Sequence, residues 1–278
     1  MVFKPKQARM YFMNTTFPKQ PARQTSPNSL EANALTPAEI KRFHDEGFLG
    51  PIMAVTPEEM AVIRNHIDTV VLQKDGPNPK TRLQSRHLDS RVVCDLASHP
   101  AIIGRMRSLY GNDLILWATN FFSKEPGGSE IPWHQDLNYW PLEPLVNISA
   151  WIAIDDVKID NSCVQILPRS HKKSIPHIQS SDGMAFSEMA DPKYFDPAGL
   201  INMELKPGEF FLFNEKTLHH SEINRSSRRR MGMSVRVTVP FVKIEHDGPP
   251  LHPGHAAILV SGQDTMGFKR LMAPPETP

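Results

Sequence analysis

From residue 113 onward the sequence is cut into short apolar runs separated by turn-forming residues, and this pattern leaves few folds open. Leu114 to Phe122, Ile148 to Val157, Cys163 to Leu167, Glu209 to Phe213 and Met231 to Val242 each have the length and composition of a strand. A further short strand is expected around Trp133-His134-Gln135-Asp136. Between the runs stand Glu125-Pro126-Gly127-Gly128-Ser129, Asp160-Asn161-Ser162, Pro168-Arg169-Ser170 and Pro207-Gly208, all turn chemistry. Parallel strands would need helical crossovers, and these connections do not read as helices. The runs therefore predict an antiparallel sandwich or a jelly roll.

Residues 36 to 112 read as helical support for that core. Thr36-Pro37-Ala38-Glu39 has a capping threonine, a proline suited to the first turn and a glutamate placed to return a bond to the cap. A helix of about three turns through Phe43 is expected, closed by Gly47 and Gly50 around Phe48 and Leu49. Thr56-Pro57-Glu58-Glu59 repeats the device ahead of Met60, Ile63, Ile67 and Val70, which recur at helical spacing. Ile102, Ile103, Met106 and Leu109 extend the pattern to Gly111. Residues 1 to 34 show no period and read as a flexible arm. A single domain is expected over 35 to 278, with a core at 113 to 245 and a wrap rich in Pro, Gly and His at 246 to 278. The polar stretch from Pro176 to Pro197 reads either as a lid over a site or as a plain surface excursion.

Composition removes several classes of function. With 31 Lys plus Arg against 30 Asp plus Glu, no long-range field attracts nucleic acid or an anionic membrane. No apolar run reaches the roughly 20 residues of a bilayer span, and no secretion signal is visible. Two cysteines, Cys94 and Cys163, make no disulfide framework, which suits a cytoplasmic protein.

The residues that carry chemistry are few. In an extended Ile131-Pro132-Trp133-His134-Gln135-Asp136, His134 and Asp136 face one point and Gln135 faces away. A third ligand from the distant Leu218-His219-His220-Ser221 would complete two histidines and one carboxylate, the set that holds non-heme Fe(II) with positions left open. His44, His66, His87, His99, His171 and His177 are isolated and read as structural or surface residues. His246, His252 and His255 raise the thought of a second metal site, but the intervening Gly-Pro-Pro and Pro-Gly favour an exposed loop. Arg228 and Arg229 read as a solvated basic turn, and Lys158, Lys172 and Lys173 as ordinary loop charge. Nothing here offers a basic handle for CoA or phosphate.

Taken in order, Phe121-Phe122 with Pro126-Gly127, Trp133-His134-Gln135-Asp136, Leu145 to Asp155, Asn161 to His171, and His219 to Ser226 resemble the phytanoyl-CoA dioxygenase family of Fe(II)/2-oxoglutarate oxygenases. Arg230 to Arg236 is similar in particular to the branch that contains the carrier-linked aminoacyl halogenases. The resemblance covers roughly residues 36 to 245. It implies a mainly β fold with supporting helices, a double-stranded β-helix of the jelly-roll or cupin-like kind. It also implies Fe(II), 2-oxoglutarate and O2 as metal and co-substrates, and His134, Asp136 and His219 as catalytic metal ligands. His219 is preferred to His220 because Ser221 and Asn224 then fall where the family places them. Arg230 takes the place of the arginine that receives the distal carboxylate of 2-oxoglutarate, a task for a bidentate donor of permanent charge.

Strand parity turns Arg236 inward beside the iron. Ser221, Asn120 and Ser149 are further expected contacts of the co-substrate region. Tyr139 and Trp140 are candidate substrate residues, as an apolar wall or a receiver of an ammonium, with plain core packing as the alternative. Halogenase members replace the carboxylate ligand with a small residue, whereas Asp136 is retained. The implied reaction is therefore hydroxylation of a small polar or amino-acid-like metabolite, with succinate and CO2 as co-products. Desaturation, cyclisation or epimerisation of a natural-product intermediate, free or carrier-bound, stays open, as does a non-catalytic jelly-roll binding protein. The oligomeric state is not legible in the sequence.

Overall fold

Both capping boxes form helices where they are expected. The computed structural model describes residues 27–277. Its helices are α1 (Pro27–Glu31), α2 (Pro37–Glu46), α3 (Pro57–His66), α4 (Arg91–Ala97) and α5 (Pro100–Tyr110). The side chains of Thr36 and Thr56 accept from the backbone of Glu39 and Glu59, and both glutamates bond back to the cap. Gly47 ends α2 in the left-handed conformation, φ 85°, with its N–H on the Phe43 carbonyl.

The strands in chain order are β1 (Phe48–Met53), β2 (Leu114–Lys124), β3 (Ile131–His134), β4 (Leu142–Glu143), β5 (Ile148–Ala153), β6 (Val164–Ile166) and β7 (His177–Gln179). They continue as β8 (Glu188–Ala190), β9 (Ile201–Met203), β10 (Glu209–Asn214), β11 (His219–Ser221), β12 (Arg230–Thr238), β13 (Lys243–Ile244) and β14 (Ile258–Ser261). One sheet has the order β1-β10-β5-β12-β2-β14, and a second has β3-β11-β6-β9. Every pairing within them is antiparallel, which gives the expected jelly roll.

Two apolar layers follow from the alternation of strand side chains. Met231, Met233, Val235 and Val237 of β12 join Phe43, Met60, Ile102 and Met106 in the core between the large sheet and the helices. Trp151, Phe211, Phe213, Val164 and Ile166 fill the space between the two sheets. The other parity of β12, Arg230, Gly232, Ser234 and Arg236, faces this second space. All nine residues of the strand are buried, so its polar face is turned inward. That inversion of the usual pattern marks the interior of the jelly roll as a site.

Several expectations are corrected. Phe48 and Leu49 are not a helix closure but the start of strand β1, because Phe48 finds a partner in Phe213 across the sheet. The arm expected over 1 to 34 lies mostly outside the described residues, but its end is packed: Leu30 is buried, and Asn33 accepts from Arg105 of α5 at 3.0 Å.

Arg229 is no solvated turn. It forks onto Asp68 (2.7 and 2.9 Å) and Asp155 (2.9 and 3.0 Å), joining the π-helical segment Ile67–Val71 that follows α3 to the start of β12. Asp155 also accepts from the Met231 N–H at 2.9 Å. Replacing Asp155 with Asn should lower stability by about 2 kcal/mol, since two charge-assisted bonds are lost and a donor is left facing Arg229. Thermal unfolding of the variant checks this; an unchanged midpoint would refute it.

His246, His252 and His255 form neither an exposed loop nor a metal site. All three are buried. The Arg270 N–H donates to His246 Nε2 at 3.0 Å, and His255 Nε2 lies 2.8 Å from the Trp117 carbonyl, which can only accept. His246 Nδ1 is therefore the donor to His255 Nδ1 at 2.9 Å, and all four nitrogens of this pair are used.

Candidate active site

The β3–β11 pairing builds the site. His219 and His134 are register partners, so their side chains leave the sheet on one face with ring centroids 4.1 Å apart. The chain stays extended through Gln135 and then turns into a short 3-10 helix that begins at Asp136. Asp136 therefore points back toward His134, its Oδ1 3.7 Å from His134 Nε2. Gln135 faces the other way and is fully buried. Its amide donates to the Lys173 and Lys216 carbonyls and accepts from the Ile175 N–H, tying two loops behind the ligand turn.

The donor set fits a metal. Nδ1 of His134 is 2.8 Å from the Pro132 carbonyl, and Nδ1 of His219 is 2.9 Å from the Thr217 carbonyl. Each carbonyl can only accept, so Nδ1 carries the proton and Nε2 presents a lone pair to the cavity. Burial holds the His134 imidazole well below its usual pKa, in the neutral form a metal needs. Asp136 Oδ2 is buried without a partner. The three ligand atoms lie within 4.8 Å of one another, the one such grouping among the described residues. His220 is stacked on Trp133 at 4.0 Å and bonded to Gln165.

The cavity beyond these ligands is lined by Phe122, Trp151, Phe186, Ser221, Arg230 and Arg236 among others. Arg230 is about 1% exposed and lies over the Trp151 ring at 5.5 Å. Its bonds are long, 3.3 Å to the Phe122 carbonyl, 3.4 Å to Ser221 Oγ and 3.5 Å to Ser162 Oγ, and its Nε has no partner. Burial lowers its pKa to about 10, which leaves it charged at neutral pH. Gly232 makes room for this arrangement: a Cβ there would sit 2.1 Å from Trp151 Cζ2.

Arg236 stands 3.8 Å from Asp136 Oδ1, with its guanidinium over the Trp140 ring at 5.1 Å. Asn120, with its amide turned to satisfy both neighbours, accepts from Arg236 Nη1 at 3.2 Å. Ser149 is the register partner of Arg236 and accepts from Asn147 at 3.1 Å. Neither Asn120 nor Ser149 belongs to the cavity lining.

Trp140 is engaged by the protein's own side chains. One face receives Arg236, and its ring meets Trp117 edge-on at 5.5 Å, so the cation it holds is the protein's own. Tyr139 lies 5.9 Å from the His134 ring, with its hydroxyl donating to the Glu188 carbonyl at 3.1 Å.

Three participants carry no assignment from the sequence. Phe186 comes from the segment 176 to 197, which folds into the β7–β8 hairpin and sets that ring 4.9 Å from His134. Trp151 backs Arg230. Lys124, at the end of β2, is 5% exposed and sits beside Arg230. Burial first, then the Arg230 charge, brings its pKa down to about 7. Its parity with Phe122 was the available signal, hidden because the strand runs two residues beyond the apolar run.

A family model described as phytanoyl-CoA dioxygenase (PhyH) matches residues 32–232. The chain belongs to the phytanoyl-CoA dioxygenase family. It is 27% identical over 191 residues to a probable phytanoyl-CoA dioxygenase of Caenorhabditis elegans, covering 64% of this chain and 60% of that one. It is 32% identical over 136 residues to the dioxygenase lolE1 of Epichloe uncinata, covering 49% and 50%. The human peroxisomal phytanoyl-CoA dioxygenase is 25% identical over 216 residues, covering 73% and 62%. The chain thus spans between half and two thirds of the length of these relatives.

Among solved structures, CytC3 with Fe(II) and alpha-ketoglutarate superposes with a TM-score of 0.69 at 25% identity, over 86% of this chain and 94% of that one. The non-heme monooxygenase ThoJ does so with 0.71 at 25%, over 86% and 88%. Among the described residues of this phytanoyl-CoA dioxygenase family member, no helix is long and apolar enough to cross a membrane.

Proposed function

We propose that this protein is an Fe(II)- and 2-oxoglutarate-dependent oxygenase that hydroxylates a small polar or amino-acid-like metabolite. The observation that carries the reading is the facial His134, Asp136 and His219 set with both Nε2 lone pairs and an unpartnered carboxylate oxygen turned to one cavity. His134, Asp136 and His219 would hold the metal. Bound Fe(II) with 2-oxoglutarate and O2 supplies an oxidant able to take hydrogen from an unactivated C–H.

The chain's own residues do the rest. The Pro132 and Thr217 carbonyls fix the imidazole tautomers. Arg230, unpaired by any carboxylate within 4 Å among the described residues, receives the distal carboxylate of 2-oxoglutarate, with Ser221 beside it. Arg236 steadies Asp136 while drawing its own support from Trp140. Phe186 and Tyr139 border the substrate side and keep water from the reacting C–H. Retention of Asp136 favours hydroxylation over halogen transfer, because no ligand place is surrendered to halide. The relatives' names also support this reading: CytC3 was solved with Fe(II) and alpha-ketoglutarate. Cys94 and Cys163 are both free thiols, which suits a reducing compartment such as the cytoplasm.

The test is an anaerobic titration of the Fe(II)-loaded protein with 2-oxoglutarate. A visible metal-to-ligand absorption band is expected, and in air succinate should form only when Fe(II) is present. No band, or succinate formed equally without iron, would defeat the proposal.

A further inference from the structure

Lys124 is the least expected side chain in the interior. It is a buried lysine whose Nζ meets no carboxylate within 4 Å among the described residues. Its partners are the Ser162 and Ser221 hydroxyls (3.0 and 2.8 Å) and the Ser221 and Glu222 carbonyls (3.0 and 2.6 Å). Arg230 reaches the same two hydroxyls, at 3.5 and 3.4 Å. Lys124, its pKa lowered to about 7 by burial and by its neighbour, therefore shares two serines with the charged Arg230, and an anion bound there would favour its charged form. Two buried like charges are costly unless an anion joins them. Glu222 is drawn away toward Arg225, at 3.5 Å, and Asp155 is held by Arg229.

The hydroxyl protons resolve what the second cation does. A serine oxygen has two lone pairs and one O–H. Ser162 uses its hydrogen on the Glu222 carbonyl. With Lys124 charged and donating to Ser221 Oγ at 2.8 Å, its shortest hydroxyl contact, and Arg230 donating at 3.4 Å, both lone pairs of Ser221 are filled, and among the described residues its own O–H finds no acceptor. Ser221 lines the cavity next to Arg230. Its hydrogen is left to point there.

We propose that Lys124 is a positioning residue of the co-substrate pocket, which fixes Ser221 as a hydrogen-bond donor and adds a second positive charge beneath the distal carboxylate of 2-oxoglutarate. The inference rests on the reading of the site as a 2-oxoglutarate pocket. The anion recognised is a carboxylate at the far end of the dicarboxylate, so a 2-oxo acid that lacks that group should be indifferent to Lys124.

The experiment compares 2-oxoglutarate with 2-oxobutyrate in anaerobic titrations of the Fe(II)-loaded protein, read by the absorption band of the bound 2-oxo acid. Lys124→Met should weaken 2-oxoglutarate binding by about tenfold or more and leave 2-oxobutyrate within about twofold of the parent. Lys124→Arg, which keeps the charge, should recover part of the loss. Ser221→Ala removes the hydroxyl through which Lys124 acts and should show the same selectivity, and Lys124→Gln tests Lys124 itself if Lys124→Met fails to fold. Equal weakening for both acids, or no weakening of 2-oxoglutarate, would overturn the proposal. A parent protein that gives no band with either acid would remove the underlying reading itself, before any variant is made.

Discussion

Asp136→Ala is expected to abolish Fe(II)-dependent succinate formation and to weaken metal binding by more than about a hundredfold. Loss of an outer partner of a metal ligand already weakens binding by roughly 10- to 100-fold, and here a ligand itself is removed. The same change strands a second charge. Asp136 is the one carboxylate within 4 Å of the buried Arg236 among the described residues, and breaking a buried pair is destabilising by about 3 kcal/mol. The metal-free variant should therefore also melt earlier than the parent. Asp136→Asn separates the two effects, since a neutral amide still offers Arg236 an acceptor while weakening the metal site. Metal titration followed by thermal unfolding reads both. Retained iron-dependent turnover in Asp136→Ala would remove this carboxylate from the site.

Arg230→Met should cost 2-oxoglutarate affinity about a hundredfold, with metal binding nearly unchanged. Removing one partner of a buried, hydrogen-bonded charge pair costs about 2–5 kcal/mol, and each 1.4 kcal/mol is a factor of ten. The existing bonds of Arg230 are long, so few would be sacrificed in turning to a carboxylate. Arg230→Lys should recover little, because Trp151 lies beneath a flat guanidinium and a lysine cannot present two parallel donors. Anaerobic titration gives the affinity and steady-state kinetics the KM for 2-oxoglutarate. An unchanged KM would place the co-substrate elsewhere.

The parts of the site that were legible in the sequence are those carried by strand alternation. His134 and Asp136 two apart, and Arg230 and Arg236 of equal parity, follow from the geometry of an extended chain. Lys124 obeys the same rule, but its strand continues past the apolar run into residues that resemble a turn. For Phe186 the lid reading of residues 176 to 197 pointed to the segment but not to the residue, because the hairpin is polar and the ring matters only where it meets His134. Arg229 is a further instance. Three consecutive arginines resemble a solvated turn until Asp68 and Asp155, far away in sequence, are brought against the middle one.

The sequence by itself determined the jelly-roll class and the capped helices, and it pointed to His134, Asp136 and His219 as the candidate ligands. The tautomers of the two candidate histidines rest on equally short-range contacts, since each ring bonds the carbonyl two residues before it. Such features depend on contacts within a few residues, which local geometry sets. Tertiary structure alone decided that His219 stands opposite His134, that Trp140 is covered by Arg236, and that Lys124 and Arg230 meet at the same two serines. Burial and charge compensation depend on which distant strands pack together, and no short stretch of chain carries that information.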